Sequence, residues 1–346
     1  MKKHLLAMSV AAAMLPATVM AAPTFYGKLN LSLDKTSDYP DRDVAFDQGE
    51  LSDAWFVSSN SSRIGVRGEE TLYNDDLSVI YQLEAGYDVD GDDGSTFTTR
   101  NSFLGLATPA GKIFAGRYDS VVKLAEGDLD QFNQTVADMK TVFLGQRRNS
   151  NTLNWESLDL GGIVLRAQLA PGEGEEVGTP PDAEIQDGLA DTWGLSATFQ
   201  QDVLFAALAY ENSYSDFAGL GGDLDTLRGS VGVNLDGGVE LGAIIEQSEF
   251  DPFGAVDEAD VTSYLVSGKV GVSERMALKA QAAVFDSSDL DLEIQQLTIG
   301  ADYMLGKQTT AYGLVSVSDT ELDTGSPLTE IDESGTAFSV GMIHKF

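Results

Sequence analysis

From Thr24 onward the chain alternates apolar and polar residues in runs of about ten positions, and no other feature of it limits the possible folds so strongly. A period of two belongs to a β-strand with two chemically different faces. Phe25, Gly27, Leu29, Leu31 and Leu33 fall on one face of the first run, and Tyr26, Lys28, Asn30, Ser32 and Asp34 on the other. Another run sets Leu77, Val79, Tyr81, Leu83, Ala85 and Tyr87 against Ser78, Gln82, Glu84 and Asp88. About sixteen such runs lie between 24 and 346, most of them 9 to 13 residues long. Their connections alternate in length. Short ones such as Pro109-Ala110, Gln201-Asp202, Asp236-Gly237-Gly238 and Gly306-Lys307 are followed by long ones near 120–147, 214–224, 249–259 and 319–333, with further long ones near 36–61 and 171–190.

Short turns gathered at one end and long loops at the other are the mark of a transmembrane β-barrel. The run length matches the ~9–11 residues a tilted strand needs to cross a bilayer. An even number of strands closes the sheet and leaves no unpaired edge in lipid. Sixteen enclose an aqueous lumen instead of a packed core. The fold read from the pattern is therefore all-β: a 16-stranded antiparallel transmembrane β-barrel, apolar side chains outward and polar ones inward. Aromatic residues near strand ends, among them Phe25, Trp55, Phe114, Tyr118, Trp155, Tyr264, Tyr303 and Tyr312, fit interfacial girdles. A large secreted β domain with a hydrophobic core is the competing reading, but it gives no reason for the short turns to share one end.

Composition removes other classes. With 55 acidic and 21 basic residues the formal charge is −34, which argues against a nucleic-acid partner. The 42% hydrophobic content argues against disorder. The chain has no cysteine and only His4 and His344, so thiolate or histidine metal sites and cysteine nucleophiles have no residues to use. Neither a cofactor nor a metal is expected. An outer-membrane barrel enzyme would need a general base, and His344 alone is left for it once the leader is removed. That leader is the segment 1–21: Lys2 and Lys3, an apolar stretch from Leu5 to Leu15, and Val19-Met20-Ala21 read as a cleaved signal peptide. Residues 22–346 then form the barrel domain, with 19 basic and 55 acidic residues and a charge of −36.

Parity assigns the lumenal charges. Ile64 and Val66 outward put Arg63 and Arg67 inward; Phe114 and Tyr118 outward put Arg117 inward. Arg100 shares a face with Ser102, and Arg148 with Ser150, Thr152 and Asn154; Lys28 and Arg166 follow the same rule. Arg147 has the parity of Leu153 but could belong to the preceding loop. An arginine on the lipid face near the midplane would cost roughly 2–4 kcal/mol, which also favours the inward assignment. The segment 120–146 holds Glu126, Asp128, Asp130 and Asp138, carboxylates able to compensate these cations.

Particular motifs carry a resemblance. Ser62-Arg63-Ile64-Gly65-Val66-Arg67-Gly68-Glu69-Glu70, Arg100-Asn101-Ser102-Phe103-Leu104-Gly105-Leu106, Gly111-Lys112-Ile113-Phe114-Ala115-Gly116-Arg117 and the ending Val340-Gly341-Met342-Ile343-His344-Lys345-Phe346 resemble the trimeric general diffusion porins of Gram-negative bacteria, especially the neisserial and β-proteobacterial branch. The resemblance is motif-specific over roughly 1–157 and at the C-terminus; between 171 and 333 it rests on strand rhythm. It implies a homotrimer in the outer membrane, passing small hydrophilic solutes and ions, with a long third loop folded into the lumen. It implies a constriction with basic residues Arg63, Arg100, Arg148, Arg117 and Lys28 on the wall, facing acidic loop residues Glu126, Asp128, Asp130 and Asp138. Phe346 resembles the C-terminal assembly signal of such barrels. A substrate-specific anion porin, for phosphate or a dicarboxylate, is the alternative. The acidic segments 38–50, 173–191 and 319–333 could meet lipopolysaccharide through divalent cations or simply hydrate the surface. Asp88 to Gly94 is spaced like a calcium loop, but its glycine comes one position late and Thr99 stands where a glutamate is needed.

Overall fold

The computed structural model describes residues 22–39, 53–73, 76–91, 96–177, 184–217, 220–252, 258–323 and 331–346. Residues 1–21, where a leader is expected, and much of the acidic segments lie outside them, as does part of Asp88 to Gly94. The first strands are β1 (Thr24–Ser37), β2 (Ala54–Ser59), β3 (Arg63–Thr71), β4 (Ser78–Tyr87), β5 (Phe97–Thr99), β6 (Ser102–Thr108) and β7 (Gly111–Asp119). After the third loop come β8 (Arg148–Glu156), β9 (Ile163–Ala170), β10 (Glu175–Val177), β11 (Glu184–Gln186), β12 (Thr192–Gln201) and β13 (Leu204–Phe217). The rest are β14 (Leu220–Leu235), β15 (Val239–Pro252), β16 (Ala259–Gly271), β17 (Met276–Ser287), β18 (Leu292–Met304), β19 (Thr309–Leu322) and β20 (Ile331–Lys345).

Eighteen of these segments form one antiparallel sheet, and β10 pairs only with β11. Two barrel strands are interrupted: β2 and β3 both pair with β1, and β5 and β6 both pair with β4. Eighteen segments therefore make sixteen staves. The sheet closes where β1 pairs with β20, Lys28 opposite Lys345 through Ser37 opposite Thr336. Phe346 completes the closure, donating its N–H to Gly27 O at 3.1 Å and accepting from Gly27 N at 2.8 Å. Its ring covers Gly27, where a Cβ would meet Phe346 Cζ at 2.2 Å.

Burial is inverted relative to a water-soluble protein. On β1, Asn30, Ser32 and Asp34 are buried while Leu29 and Leu33 are exposed. Phe25 is 82% exposed and Leu104 is 64% exposed, as an apolar band facing lipid requires. Tight turns need unusual backbone: Gly237 and Gly238, between β14 and β15, have φ of +84° and +73°, values that a residue without Cβ adopts readily.

Three expectations change. The flanks of the connections expected at 214–224, 249–259 and 319–333 are strand in the described residues, because β13 to β16, β19 and β20 continue past the apolar band. Within the loop expected at 171–190, β10 and β11 make a small separate ribbon. Phe114, Tyr118 and Tyr312 are not girdle residues. Phe114 is buried against Phe103 and Tyr118, with ring centroids at 4.7 and 4.9 Å, and Tyr312 donates to Asn30 Oδ1 at 3.1 Å inside the barrel.

Candidate functional site

The third loop leaves β7 at Ser120, whose hydroxyl caps the short helix α1 (Val121–Leu124) by accepting from Lys123 N at 3.0 Å. It returns at Arg147, whose carbonyl accepts from Ser120 N at 3.1 Å. Between these points it runs around the inside of the barrel. Ser267 Oγ donates to Leu129 O at 2.6 Å, Gln281 Oε1 accepts from Gln131 N at 2.9 Å, and on the way back Ser263 Oγ donates to Val142 O at 2.6 Å. Its apolar residues face the wall: Met139, Val142, Phe143 and Leu144 pack with Leu224, Ile244, Phe250, Leu265 and Phe285. Burying Phe132, Met139, Val142 and Phe143 stabilises the loop by roughly 1.5–3 kcal/mol for each side chain.

The loop tip meets the opposite wall at Gln134. Its side-chain oxygen accepts from Lys28 Nζ and from Arg63 Nη1, the latter at 3.2 Å, and its carbonyl accepts from Asn30 Nδ2 at 2.8 Å. From there a row of charges follows the wall. Glu84 accepts from Arg100 Nε at 2.8 Å, lies 3.5 Å from Arg63 Nε, and accepts from Tyr26 OH at 3.0 Å. Asp119 lies 2.9 Å from Arg148 Nη2, accepts from Asn101 Nδ2 at 2.7 Å, and is 3.6 Å from Lys123 Nζ on the loop. Arg148 Nε donates to Asn101 Oδ1 at 2.6 Å. The structure thus brings Lys28, Arg63, Arg100 and Arg148 together across β1, β3, the β5–β6 junction and β8. A bulge sets this up: Gly86 to Gln82 on β4 are opposed by Thr98 to Phe103, one residue longer, so Arg100 and Asn101 both reach the row.

Arg117 stands apart. On β7 Lys112, Ile113 and Ala115 are exposed while Phe114 between the last two is buried, so around Phe114 the strand has the opposite parity to that expected. A register break between Gly116 and Tyr118 sets Arg117 against β8, where its Nη1 donates to Ser150 Oγ at 2.9 Å. Its place is with the outer-face residues and not in the row. Arg147 also leaves the row, donating to Tyr214 O.

Three of the four loop carboxylates turn inward to the loop itself. Asp130 accepts from Phe132 N at 2.9 Å, Met139 N at 3.0 Å and Gln281 Nε2 at 2.9 Å. Asp138 accepts from Gln134 N at 2.7 Å and Lys140 N at 2.9 Å. Glu126 accepts from Asn133 Nδ2 at 2.7 Å and Gln146 Nε2 at 2.9 Å. Burial raises the Asp130 carboxyl well above the usual range, and the nearby Asp138 and Glu126 push the same way. Only Asp128 of the four is exposed, on a lumenal cavity of about 810 Å³ that also touches Lys123, Lys269 and Lys279. The wall is thus faced mainly by amides, above all Gln134, and by Lys123.

Glu84, Asn101, Asp119 and Gln134 complete the site and were not singled out from sequence. Parity did place Glu84 inward beside Gln82; the other three lie at strand ends or in the loop, where no period operates. Among the described residues no group of three or more carboxylates or histidines is arranged to hold a metal.

A closed antiparallel barrel, apolar outside and polar inside, narrowed by an inward loop against a charged wall, defines a passive diffusion channel of the outer membrane. The comparisons agree. Residues 7–323 match the Gram-negative porin family, and the chain belongs to that family, as an outer-membrane porin and not an enzyme. It is 26% identical to the major outer membrane protein P.IB of Neisseria sicca over 378 aligned positions, covering all of both chains. It is 26% identical to outer membrane porin protein 32 of Delftia acidovorans, covering 90% of this chain and 88% of that one. The anion-selective porin from Comamonas acidovorans has the same fold, with a TM-score of 0.73 at 20% identity over 94% of this chain and 99% of that one.

Proposed function

We propose that this porin is a general diffusion channel whose narrowest part prefers anions, and that Lys28, Arg63, Arg100 and Arg148 set the preference. The observation that carries this reading is the charge balance of the row. Five basic side chains, with Lys123 included, share two carboxylates, Glu84 and Asp119, so basic groups outnumber acidic ones in the row by three. A ring of like charge in a narrow aqueous path selects against ions of its own sign. The loop's inward-turned carboxylates leave this surplus largely uncompensated. That the Comamonas acidovorans protein of similar fold is an anion-selective porin fits the same reading.

The test is the reversal potential of single channels in a salt gradient. The wild type is expected to favour anions, and Arg63→Gln, Arg100→Gln and Arg148→Gln together to move the potential toward cations. An unchanged potential removes these residues from the selective part. Saturating conductance with phosphate or a dicarboxylate would replace general diffusion by the substrate-specific alternative. Export by cleavage near residue 21, assembly guided by Phe346, contact with lipopolysaccharide and a homotrimer belong to the same proposal. In support of the trimer, Phe25, Ile64, Leu83, Phe97 and Phe346 line an apolar outer groove of about 640 Å³. The mass of the detergent-solubilised protein decides between one copy and three.

A further inference from the structure

Arg228 on β14 and Glu246 on β15 face each other across one rung of the sheet and are 0% and 1% exposed. They form an ion pair in which Arg228 Nε donates to Glu246 Oε2 at 2.8 Å and Nη2 donates to the same oxygen. Both then turn to the main chain of the third loop. Arg228 Nη1 donates to Val122 O at 3.1 Å, at the start of the loop. Glu246 Oε1 accepts from Leu144 N at 2.9 Å and Gly145 N at 3.0 Å, at its end. The guanidinium also lies over the Phe143 ring, 5.4 Å from its centroid.

The surrounding wall mixes buried Leu224, Ile244 and Leu265 with buried Thr226, Ser230, Ser248 and Ser263, so the loop also has apolar packing to hold it there. A buried ion pair is a poor way to add stability, since its desolvation offsets its attraction. Its value here lies in direction. Leu144 N and Gly145 N belong to irregular backbone, and buried main-chain groups need partners; Val122 lies in α1, where its carbonyl accepts from Ala125 N at 3.2 Å as well as from Arg228. We propose that Arg228 and Glu246 act as a clasp: one pair of side chains on the wall closes both roots of the third loop at a single point and so fixes how far the loop projects toward the basic row. The proposal rests on reading that loop as the constriction. The backbone is shaped for the clasp, since a Cβ at Gly145 would meet Val122 Cγ1 at 2.4 Å, Glu246 Oε2 at 2.6 Å and Arg228 Nη2 at 3.0 Å.

Single-channel recording of the purified full-length protein tests it. Glu246→Gln keeps the volume but removes the charge that holds Arg228, and is expected to raise the main conductance level, increase open-channel flicker and admit larger neutral sugars. Gly145→Ala, which opens the clasp from the loop side, is expected to do the same. The exchange Arg228→Glu with Glu246→Arg restores charge balance but leaves Leu144 N and Gly145 N without their acceptor, so it is expected not to restore wild-type recordings. Wild-type conductance and sugar cut-off in Glu246→Gln, with only a lower melting temperature, would overturn the clasp. So would rescue by the exchanged pair, or failure of both single variants to form barrels, which would assign the pair to barrel folding. If the triple arginine variant shifts selectivity while these variants leave conductance alone, the clasp fails and the constriction stands; if neither moves, the constriction itself is wrong.

Discussion

At the scale of single residues, charge alone does not say what a carboxylate does in this lumen. Asp128 and Asp130 are two positions apart, yet one is exposed to the cavity and the other accepts two hydrogen bonds from the loop backbone and one from Gln281 on the wall. Asp128→Asn is therefore expected to make the reversal potential more anion-selective. Asp130→Asn is expected to move it less and to loosen the loop by about 1–3 kcal/mol, the usual penalty for a buried group left without its partner, visible as channel noise. A larger potential shift for Asp130 would contradict the assigned geometry. Residue-level reading from the sequence holds where a strand stays regular: the inward faces of Lys28 and Arg63 follow from parity, whereas Arg100 owes its place to the extra residue opposite β4. It fails at Arg117, because aromatic character alone marks Phe114 as lipid-facing, whereas three rings, Phe103, Phe114 and Tyr118, pack together inside. For the loop carboxylates no period exists to be read, and their roles are set by turns that only the folded loop defines.

At the scale of elements, the third loop and the wall behind it are shaped for each other. Gly232 on β14 and Gly242 on β15 leave room for Leu129: a Cβ at either would meet Leu129 Cδ2, at 2.5 and 2.9 Å. Gly300 on β18 similarly admits Phe132, whose Cε1 would lie 2.8 Å from the added atom. Glycines that weaken ordinary strands here let a loop approach closely. Gly232→Val is expected to push Leu129 off the wall, with overpacking of roughly 1–3 kcal/mol, and to shift the cut-off for neutral sugars in liposome swelling. An unaltered cut-off would mean that the loop finds its place without this recess. The scatter of glycines through the runs was visible in the sequence; which of them hosts a loop was not. Neither was the inward course of Tyr39 beyond β1, where its hydroxyl lies 2.8 Å from Ser316 Oγ and accepts from Gln296 Nε2 at 2.9 Å.

For the whole molecule, the closed sheet was legible because it depends on only two quantities, the two-residue period and the alternation of short and long connections. Closure itself depends on the chain end, where Phe346 and Gly27 exchange two hydrogen bonds. Gly27→Val is expected to displace the terminal ring and reduce the yield of folded, heat-modifiable barrels in vesicles; undiminished yield would show that ring contact to be dispensable. Strand lengths were the quantity least well read, and they are unequal around the barrel. Of the strands that carry the basic row, β3 and β8 have 9 residues each and β1 has 14, while those that hold the third loop reach 14 in β15 and 16 in β14. At about 3.4 Å per residue, the tallest strand outreaches the shortest of these by roughly 24 Å along its length. A bilayer grips both halves over the same apolar band, so it holds β8 over nearly its whole length and β14 and β15 over only part of theirs. The two sides of the aperture are thus coupled unequally to membrane thickness, and a change in lipid chain length would reach the row before it reached the loop.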